Sequence, residues 1–289
     1  MTKCDCCPRY CNVDRATQKG YCGTGDTLTL AKVQAHHWEE PFISGDNGSG
    51  TIFFSGCNLK CVFCQNYDVS RGYGKQITIS RLADIFKELE DMGVHNINLV
   101  TATHFVPQIV KAMEIYRPSL PIVYNCGGYE STQNLDRLDG IVDIYLPDMK
   151  YSDNSLAKKY SGVDDYFERA CESIEIMQKQ VGKSQIVDGI MLKGMSVRHL
   201  VLPNALDNTY GVLDWLAKHL DSSHYVSLMG QYCPCGKATQ YEEIARKLKP
   251  IEYKLAMNKA VKLGLENVLV QELDSASGEY IPNFDLGGV

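Results

Sequence analysis

Long hydrophobic runs, blocks of basic residues and the common nucleotide-binding motifs are all missing from this sequence. No window approaches the roughly 18 consecutive apolar residues of a transmembrane helix, and the N-terminal residues MTKCDCCPRY lack the apolar core of a secretory signal. The 29 lysines and arginines are outnumbered by 35 aspartates and glutamates, and they form no block. We therefore expect a cytoplasmic protein that binds neither a membrane nor nucleic acid. The sequence also contains no phosphate loop, nucleophile elbow or dinucleotide fingerprint.

Cysteine is the residue in excess. The chain has 289 residues, of which 44% are hydrophobic and 22% charged, so one large globular core is expected. Twelve cysteines in a cytoplasmic chain of this size indicate metal ligands or reactive thiols rather than disulfides. They fall into an N-terminal group (Cys4, Cys6, Cys7, Cys11, Cys22), a compact triplet (Cys57, Cys61, Cys64) and four isolated positions (Cys126, Cys171, Cys233, Cys235). Each of the two groups suggests a metal site.

After residue 50 the sequence alternates short apolar runs with amphipathic stretches typical of helices. The apolar runs cover residues 51–55, 97–100, 121–125, 141–146, 196–202, 225–229 and 268–271. This alternation predicts a parallel sheet covered by helices, an α/β fold of the partial (β/α)6 TIM-barrel type. We expect the barrel at residues 51–289, after a small irregular Cys-rich segment at residues 1–50 with a possible metal site. Active groups of such barrels stand at the C-terminal ends of the strands.

The cysteine triplet directly follows the first predicted strand, in the sequence GCNLKCVFCQN. Cys57, Cys61 and Cys64 therefore lie on a loop at the end of the barrel where chemistry is expected. Three thiolates fill three of the four protein ligand positions of a [4Fe-4S] cluster and leave one iron open to another ligand. Zinc sites pair their cysteines differently or add a histidine, and no histidine follows closely. Cysteines that merely pack are the remaining alternative.

This CxxxCxxC pattern, with Phe63 before the last cysteine, resembles the radical SAM superfamily. The stretches EEPFISG, GSGTIFFSGCNLKCVFCQNYDVS, INLVTATHF, PIVYNCGGYE, VDIYLPDMKY, VRHLVLP and YVSLMGQY resemble homologues of pyruvate formate-lyase activating enzyme. The resemblance implies that Cys57, Cys61 and Cys64 hold a [4Fe-4S] cluster whose open iron binds S-adenosyl-L-methionine. It also implies reductive cleavage of that cofactor to a 5′-deoxyadenosyl radical, which abstracts hydrogen from a substrate.

The same resemblance implies cofactor-binding roles at strand ends. Phe63 and Asn66 are expected near the adenine or the cluster sulfurs. After the second predicted strand, relatives carry Gly-Gly-Glu for the methionine amino group, whereas this chain has Thr101, Ala, Thr103 and His. The two threonine hydroxyls and the local carbonyls are acceptors for that ammonium.

Asp148 and Lys150 in LPDMKY resemble a pair that helps to hold the cofactor and takes part in catalysis, with a salt bridge at the barrel rim as the alternative. Arg198 resembles the residue that holds the cofactor carboxylate, a task suited to a planar bidentate donor. Neighbouring side chains on a strand point to opposite faces, so we expect Arg198 rather than His199 to face the barrel interior.

The third and sixth predicted strands also end in polar residues. Asn125 and Gln231 are expected to contact the cofactor or the substrate. Cys126 is a candidate catalytic thiol, as a hydrogen donor or thiyl site, and a packed cysteine is the alternative.

Two further polar groups precede the barrel. Four N-terminal cysteines are suitable ligands for zinc or an auxiliary iron-sulfur cluster, namely Cys4, Cys7, Cys11 and Cys22. This segment has few apolar residues and little surface to bury, so we expect it to need a metal in order to fold. A reduced segment without metal is the alternative, and Cys6 is left over. For His36, His37, Glu39 and Glu40 we expect a surface turn with solvated charges, anchored by Trp38, rather than a contact to the substrate.

These features favour a radical SAM oxidoreductase that acts on a protein or peptide, like an enzyme that installs a glycyl radical. A related enzyme acting on a small metabolite and a non-catalytic iron-sulfur electron carrier are the alternatives. A carrier needs a fourth thiolate near Cys64, and the sequence has none there. We expect a monomer that receives electrons from a donor such as flavodoxin or ferredoxin.

Overall fold

The computed structural model describes residues 3–271 and 282–289. Its ten strands belong to one sheet. They are β1 (Thr29–His36), β2 (Ser49–Phe54), β3 (Lys75–Gln76), β4 (Ile97–Val100), β5 (Ile122–Cys126), β6 (Ile144–Pro147), β7 (Gln185–Val187), β8 (Ile190–Leu200), β9 (Tyr225–Met229) and β10 (Val268–Val270). The helices are α1 (Pro41–Ser44), α2 (Tyr67–Ser70), α3 (Ile79–Asp91), α4 (Val106–Ile115), α5 (Thr132–Leu138), α6 (Asn154–Ser161), α7 (Tyr166–Val181), α8 (Leu206–His219) and α9 (Pro250–Lys262).

Seven strands run parallel and confirm the predicted partial barrel. Their spatial order is β10-β9-β8-β6-β5-β4-β2. β1 adds to β2 and β3 adds to β1, both antiparallel, while β7 pairs antiparallel with β8. β10 and β3 stand at the two ends of the series, so the sheet curves without closing on itself. The C-terminal ends of the parallel strands meet at one edge, which is where an active site is expected.

Helix α3 shows how the sequence builds the outer layer. The Thr78 hydroxyl accepts a hydrogen bond from the Arg81 amide at 3.1 Å and caps the first turn. Four side chains at helical spacing are fully buried, namely Leu82, Ile85, Phe86 and Leu89. Gly93, with φ +76°, ends the helix in a conformation that favours glycine. Among residues 3–271 and 282–289, no helix is both long and apolar enough to cross a bilayer.

The N-terminal fifty residues are more regular than we expect from their sequence. Thr29–His36 form β1, which pairs with β2 from Leu30 opposite Phe54 to His36 opposite Ser49. The alternation of buried and half-buried side chains from Ala31 to Gln34 is the period-two pattern of a strand, too short to stand out. The expectation of an irregular segment is therefore wrong for residues 29–36, and also for Pro41–Ser44 in α1 and residues 49–50 at the start of β2. Residues 3–28 form no helix or strand.

Helix α1 closes the lower, N-terminal end of the barrel. Its Phe42 and Ile43 are buried against Val123, Ile144 and other residues of the inner sheet face. Because α1 follows directly on residues 36–40, this packing places that short segment beneath the barrel interior.

The outer core predicts a large effect from truncating a single α3 side chain. We expect Phe86→Ala to lower the free energy of unfolding by about 3–5 kcal/mol, because it removes a fully buried ring and leaves a cavity. Met92→Ala, at a side chain of α3's C-cap that is 64% exposed, is the matched control and should change it by less than about 0.5 kcal/mol. Urea denaturation compares the two, and equal losses would contradict the packing described here.

Candidate functional site

A cavity of about 520 Å³ opens inside the barrel towards the C-terminal strand ends. Twelve residues predicted for the site line it: Cys57, Cys61, Phe63, Cys64, Asn66, Thr101, Asn125, Cys126, Asp148, Lys150, Arg198 and Gln231. The volume falls within the range of small-molecule and cofactor sites. The structure therefore brings residues that are far apart in the chain to one cavity, and Cys57 and Gln231 are separated by 174 positions.

The thiol loop follows β2 and is held by neighbouring backbone. The Val62 amide donates to the Tyr160 carbonyl at 2.9 Å, and the Ser161 hydroxyl donates to Cys61 Sγ at 3.0 Å. Phe63 is buried between the rings of Tyr160 and Tyr232 in edge-on contacts. These contacts fix the three thiols at one end of the cavity.

The three cavity thiols match in number and kind the protein ligands of three irons of a [4Fe-4S] cluster. In the described part of the chain, no group of three or more His, Cys, Asp or Glu side chains is arranged around one ion. A [4Fe-4S] cluster is ligated at separate irons, so its thiolates need not converge on one atom. Burial raises the pKa of Cys64 to about 12, and the Lys150 charge opposes that rise. Lys150 thus favours thiolates at this end of the cavity.

Oppositely charged side chains meet at the C-terminal ends of β6 and β8. Asp148 and Arg198 form a backbone bridge, and Arg198 Nε donates to Asp148 Oδ1 at 2.9 Å. The Lys150 ammonium also contacts Asp148. Burial opposes the charge of Asp148, but Arg198 and Lys150 hold its pKa below the usual value. His199 points away from the cavity, where Nδ1 and Nε2 contact the Met149 carbonyl and a threonine hydroxyl, so Arg198 is the residue that faces the interior.

Glu39 is the residue that sequence reasoning missed. Its carboxylate lines the cavity with only 11% of the side chain exposed, and Oε2 lies 3.3 Å from an Arg198 Nη atom. Asn98 and Asn125 each donate an amide hydrogen bond to Oε1 at 3.2 Å. Glu40 is buried as well. The expectation of solvated charges is therefore wrong for both glutamates, because Arg198 attracts them from a strand remote in sequence. Trp38 is 64% exposed, as expected for the anchor of a surface turn.

The two threonines that follow β4 lie in different environments. Thr101 lines the cavity in a left-handed backbone conformation, with φ +59°. Thr103 lies outside the residues that line the cavity, is 1% exposed, and donates from Oγ1 to Glu130 Oε1 at 2.7 Å. The expected contact between Thr103 and the cofactor stays a prediction, and in this structure the Thr103 hydroxyl is bonded to Glu130. Glu130 also accepts from the Tyr124 hydroxyl at 2.9 Å, and no local sequence signal identifies it.

The N-terminal cysteines lie outside the cavity, behind the thiol loop. The Cys57 amide donates to the Cys22 carbonyl at 3.2 Å. Arg9 reaches across to the carbonyls of Asn58 at 2.6 Å and Ser161 at 2.9 Å. The N-terminal segment therefore contacts the back of the loop that carries the cavity thiols.

The buried acid Glu130 predicts a pH-dependent stability. Burial raises its pKa from 4.5 to about 7, so the folded chain holds a proton that the unfolded chain releases between these values. The contribution of this group to the free energy of unfolding should consequently fall by on the order of 3 kcal/mol as pH rises from about 5 to 8. Glu130→Gln cannot ionise, and its urea midpoint should fall less over the same range. Equal pH slopes in both proteins would rule out a raised pKa at Glu130.

Known proteins share both sequence and fold with this chain. The sequence model of the Radical SAM superfamily matches residues 51–197. An uncharacterized protein of Methanocaldococcus jannaschii, MJ0674, is 31% identical over 274 residues, which cover 91% of this chain and 75% of that protein.

Among solved structures, Streptococcus suis SuiB bound to its precursor peptide SuiA is 14% identical with a TM-score of 0.51, over 76% of this chain. The match spans 48% of the SuiB chain, about half its length. A domain of pyruvate-formate lyase-activating enzyme from Bacteroides vulgatus is 11% identical with a TM-score of 0.41, over 67% of this chain and 91% of that one. The family match and the sequence relative, together with the fold, show that the chain belongs to the radical SAM superfamily, whose members are enzymes with an iron-sulfur cluster and S-adenosylmethionine.

Proposed function

We propose that this protein is a radical SAM oxidoreductase that abstracts hydrogen from a protein or peptide substrate. The observation that carries the proposal is that the three thiols and the Asp148–Lys150–Arg198 charges line one shared cavity. When bound, a [4Fe-4S] cluster and S-adenosylmethionine supply reductive cleavage to a 5′-deoxyadenosyl radical.

In this proposal the residues of the chain hold and orient those groups. Cys57, Cys61 and Cys64 ligate the cluster, and Arg198 binds the cofactor carboxylate through its remaining N–H groups. Asp148 keeps that guanidinium in place and balances its charge, and Lys150 pairs with the other oxygen of Asp148. Further cofactor contacts come from Phe63, Asn66, Thr101, Asn125 and Gln231, which share the cavity.

Cys126 is proposed as a catalytic thiol. It stands at the end of β5 among the residues that line the cavity, and only 2% of it is exposed because its side chain packs in the core that the sheet shares with the helices. Burial, together with the nearby Glu130 carboxyl, raises the pKa of Cys126 well above its usual value. The thiol therefore keeps its hydrogen, as a hydrogen-atom donor must.

A protein or peptide substrate is supported by the approach to the cavity. Trp38 is one of the residues that line the cavity, as are His36 and Phe53, and 64% of Trp38 is exposed. Large exposed aromatic side chains are favoured contacts in protein interfaces. SuiB, which shares the fold, was solved with a peptide bound. We further propose a cytoplasmic monomer reduced by a flavodoxin or ferredoxin.

Cofactor cleavage is the direct test of the enzyme proposal. After anaerobic reconstitution and dithionite reduction, we expect the wild-type protein to form 5′-deoxyadenosine from S-adenosylmethionine, with a cluster electron paramagnetic resonance signal that shifts when the cofactor is added. The triple Cys57→Ala, Cys61→Ala, Cys64→Ala variant should form none, because the cluster has lost its ligands. Cys171→Ala, at a half-exposed cysteine outside the cavity, is the matched control. A wild-type signal that ignores the cofactor would indicate an electron carrier instead.

Arg198 provides a separate test of cofactor binding. We expect Arg198→Lys to weaken S-adenosylmethionine binding by about 10- to 100-fold, because lysine keeps the charge but loses the planar donors, and a charged hydrogen bond contributes about 1.5–3 kcal/mol. Equilibrium dialysis with the reconstituted protein measures the change. Arg169→Lys, in a surface ion pair with Asp165, should leave the affinity unchanged. Equal affinities in the wild type and Arg198→Lys would remove Arg198 from the cofactor site.

A further inference from the structure

Glu39, Asn125 and Arg198 form a closed ring of hydrogen bonds at the wall of the cavity. Arg198 donates from one Nη atom to Glu39 Oε2 at 3.3 Å and from the other to Asn125 Oδ1 at 2.5 Å. Asn125 completes the ring, because its Nδ2 donates to Glu39 Oε1 at 3.2 Å. All three side chains line the cavity, so the ring faces the space in which a ligand binds.

This arrangement holds the Glu39 carboxyl as a carboxylate. Asn98 donates a further amide hydrogen bond to Oε1, so both oxygens of Glu39 accept from N–H donors. A protonated acid would turn its O–H against one of these donors. Burial raises the pKa of Glu39 and of its neighbour Glu40, and the Arg198 charge opposes that rise. Glu40 is the better place for a proton, because its Oε2 is buried without a hydrogen-bond partner in the described part of the chain.

The charged side chains around the cavity balance each other. Apart from the thiols, the described residues that line it include two cations and two carboxylates, namely Lys150, Arg198, Glu39 and Asp148. Asp148 contacts both cations, whereas Glu39 contacts Arg198 alone. A ligand with a lone carboxylate therefore leaves one negative charge in excess at a buried site, which is unfavourable. A ligand that carries an ammonium group beside its carboxylate keeps the balance.

We propose that Glu39 is a specificity-determining residue, which makes the Arg198 site bind the amino-acid end of S-adenosylmethionine and reject a ligand with a carboxylate alone. This inference rests on the proposed function, in which Arg198 binds the cofactor carboxylate. An α-amino acid carries its ammonium and carboxylate groups on one carbon, so a cation and an anion that touch each other can receive both. Glu39 and Arg198 are such a pair.

Glutamine at position 39 would remove the charge and break the ring. Its side chain has one acceptor oxygen, whereas three donors from Asn98, Asn125 and Arg198 converge on the two oxygens of Glu39. Glu39→Gln therefore loses the attraction for an ammonium group and removes a carboxylate that competes for Arg198. The two kinds of ligand should consequently respond differently to this substitution, whereas a general loosening of the site would weaken both alike.

Equilibrium dialysis with two ligands tests this inference without measuring activity. The probes are S-adenosylmethionine and its deamino analogue, in which hydrogen replaces the α-ammonium group and the sulfonium is kept. We expect the reconstituted wild-type protein to bind S-adenosylmethionine about 10- to 100-fold more tightly than the analogue, the factor of one charged hydrogen bond. Glu39→Gln should bind S-adenosylmethionine more weakly by a similar factor, and the analogue no more weakly than the wild type does. Glu114→Gln, at an exposed residue of α4, is the matched control and should keep the wild-type preference.

The outcomes separate this inference from the proposed function. Equal losses for both ligands in Glu39→Gln, or an unchanged preference, would overturn the role of Glu39 and leave the test on Arg198 standing. A wild-type protein that binds neither ligand would contradict the proposed function itself.

Glu39→Asp is a second variant, and circular dichroism checks that each protein is folded. Aspartate keeps the charge but withdraws it by one carbon, so the preference of Glu39→Asp should lie between those of the wild type and Glu39→Gln. If Glu39→Gln does not fold, a wild-type preference in Glu39→Asp would overturn the inference.

Discussion

The buried charge of Arg198 is the constraint on which the cavity depends. A guanidinium inside a protein is tolerated only when acceptors surround it, since an unpaired buried charge is strongly destabilising. Asp148 after β6, Asn125 on β5 and Glu39 before α1 each supply one acceptor. Three separate parts of the chain are thereby held around one side chain. Their positions depend on parallel strand pairing, which brings Asp148 beside Arg198.

Strand order explains why one cavity contains both thiols and charges. The thiol loop leaves β2, and the charged residues leave β6 and β8, on the far side of β4 and β5. An open, curved sheet brings these separated ends together around one interior space. Helix α1 closes the lower end of that space with Phe42 and Ile43, so the polar residues above it are partly shielded from water. Such an environment strengthens the attraction between charges.

The sequence predicts the seven parallel strands, because their apolar runs are local, and strand ends then identify half of the residues that line the cavity. Contacts between distant residues are the part it cannot supply. Glu39 meets Arg198 across 159 positions, and nothing near either residue signals the pair. Thr103 shows what local sequence does not indicate: β4 ends at Val100, and the left-handed Thr101 redirects the chain so that Thr103 meets Glu130. The β1 strand was missed because its alternation is short and only partly buried.

The packing of the N-terminal segment has a consequence for synthesis on the ribosome. Asn134 donates to the Cys6 carbonyl at 2.6 Å, and Arg9 binds the Ser161 carbonyl. The Cys6 carbonyl therefore waits for a partner that lies 128 positions later in the chain. During translation this segment lacks such native contacts until those later residues have been made. In that interval its thiols are accessible to oxidants or competing metals.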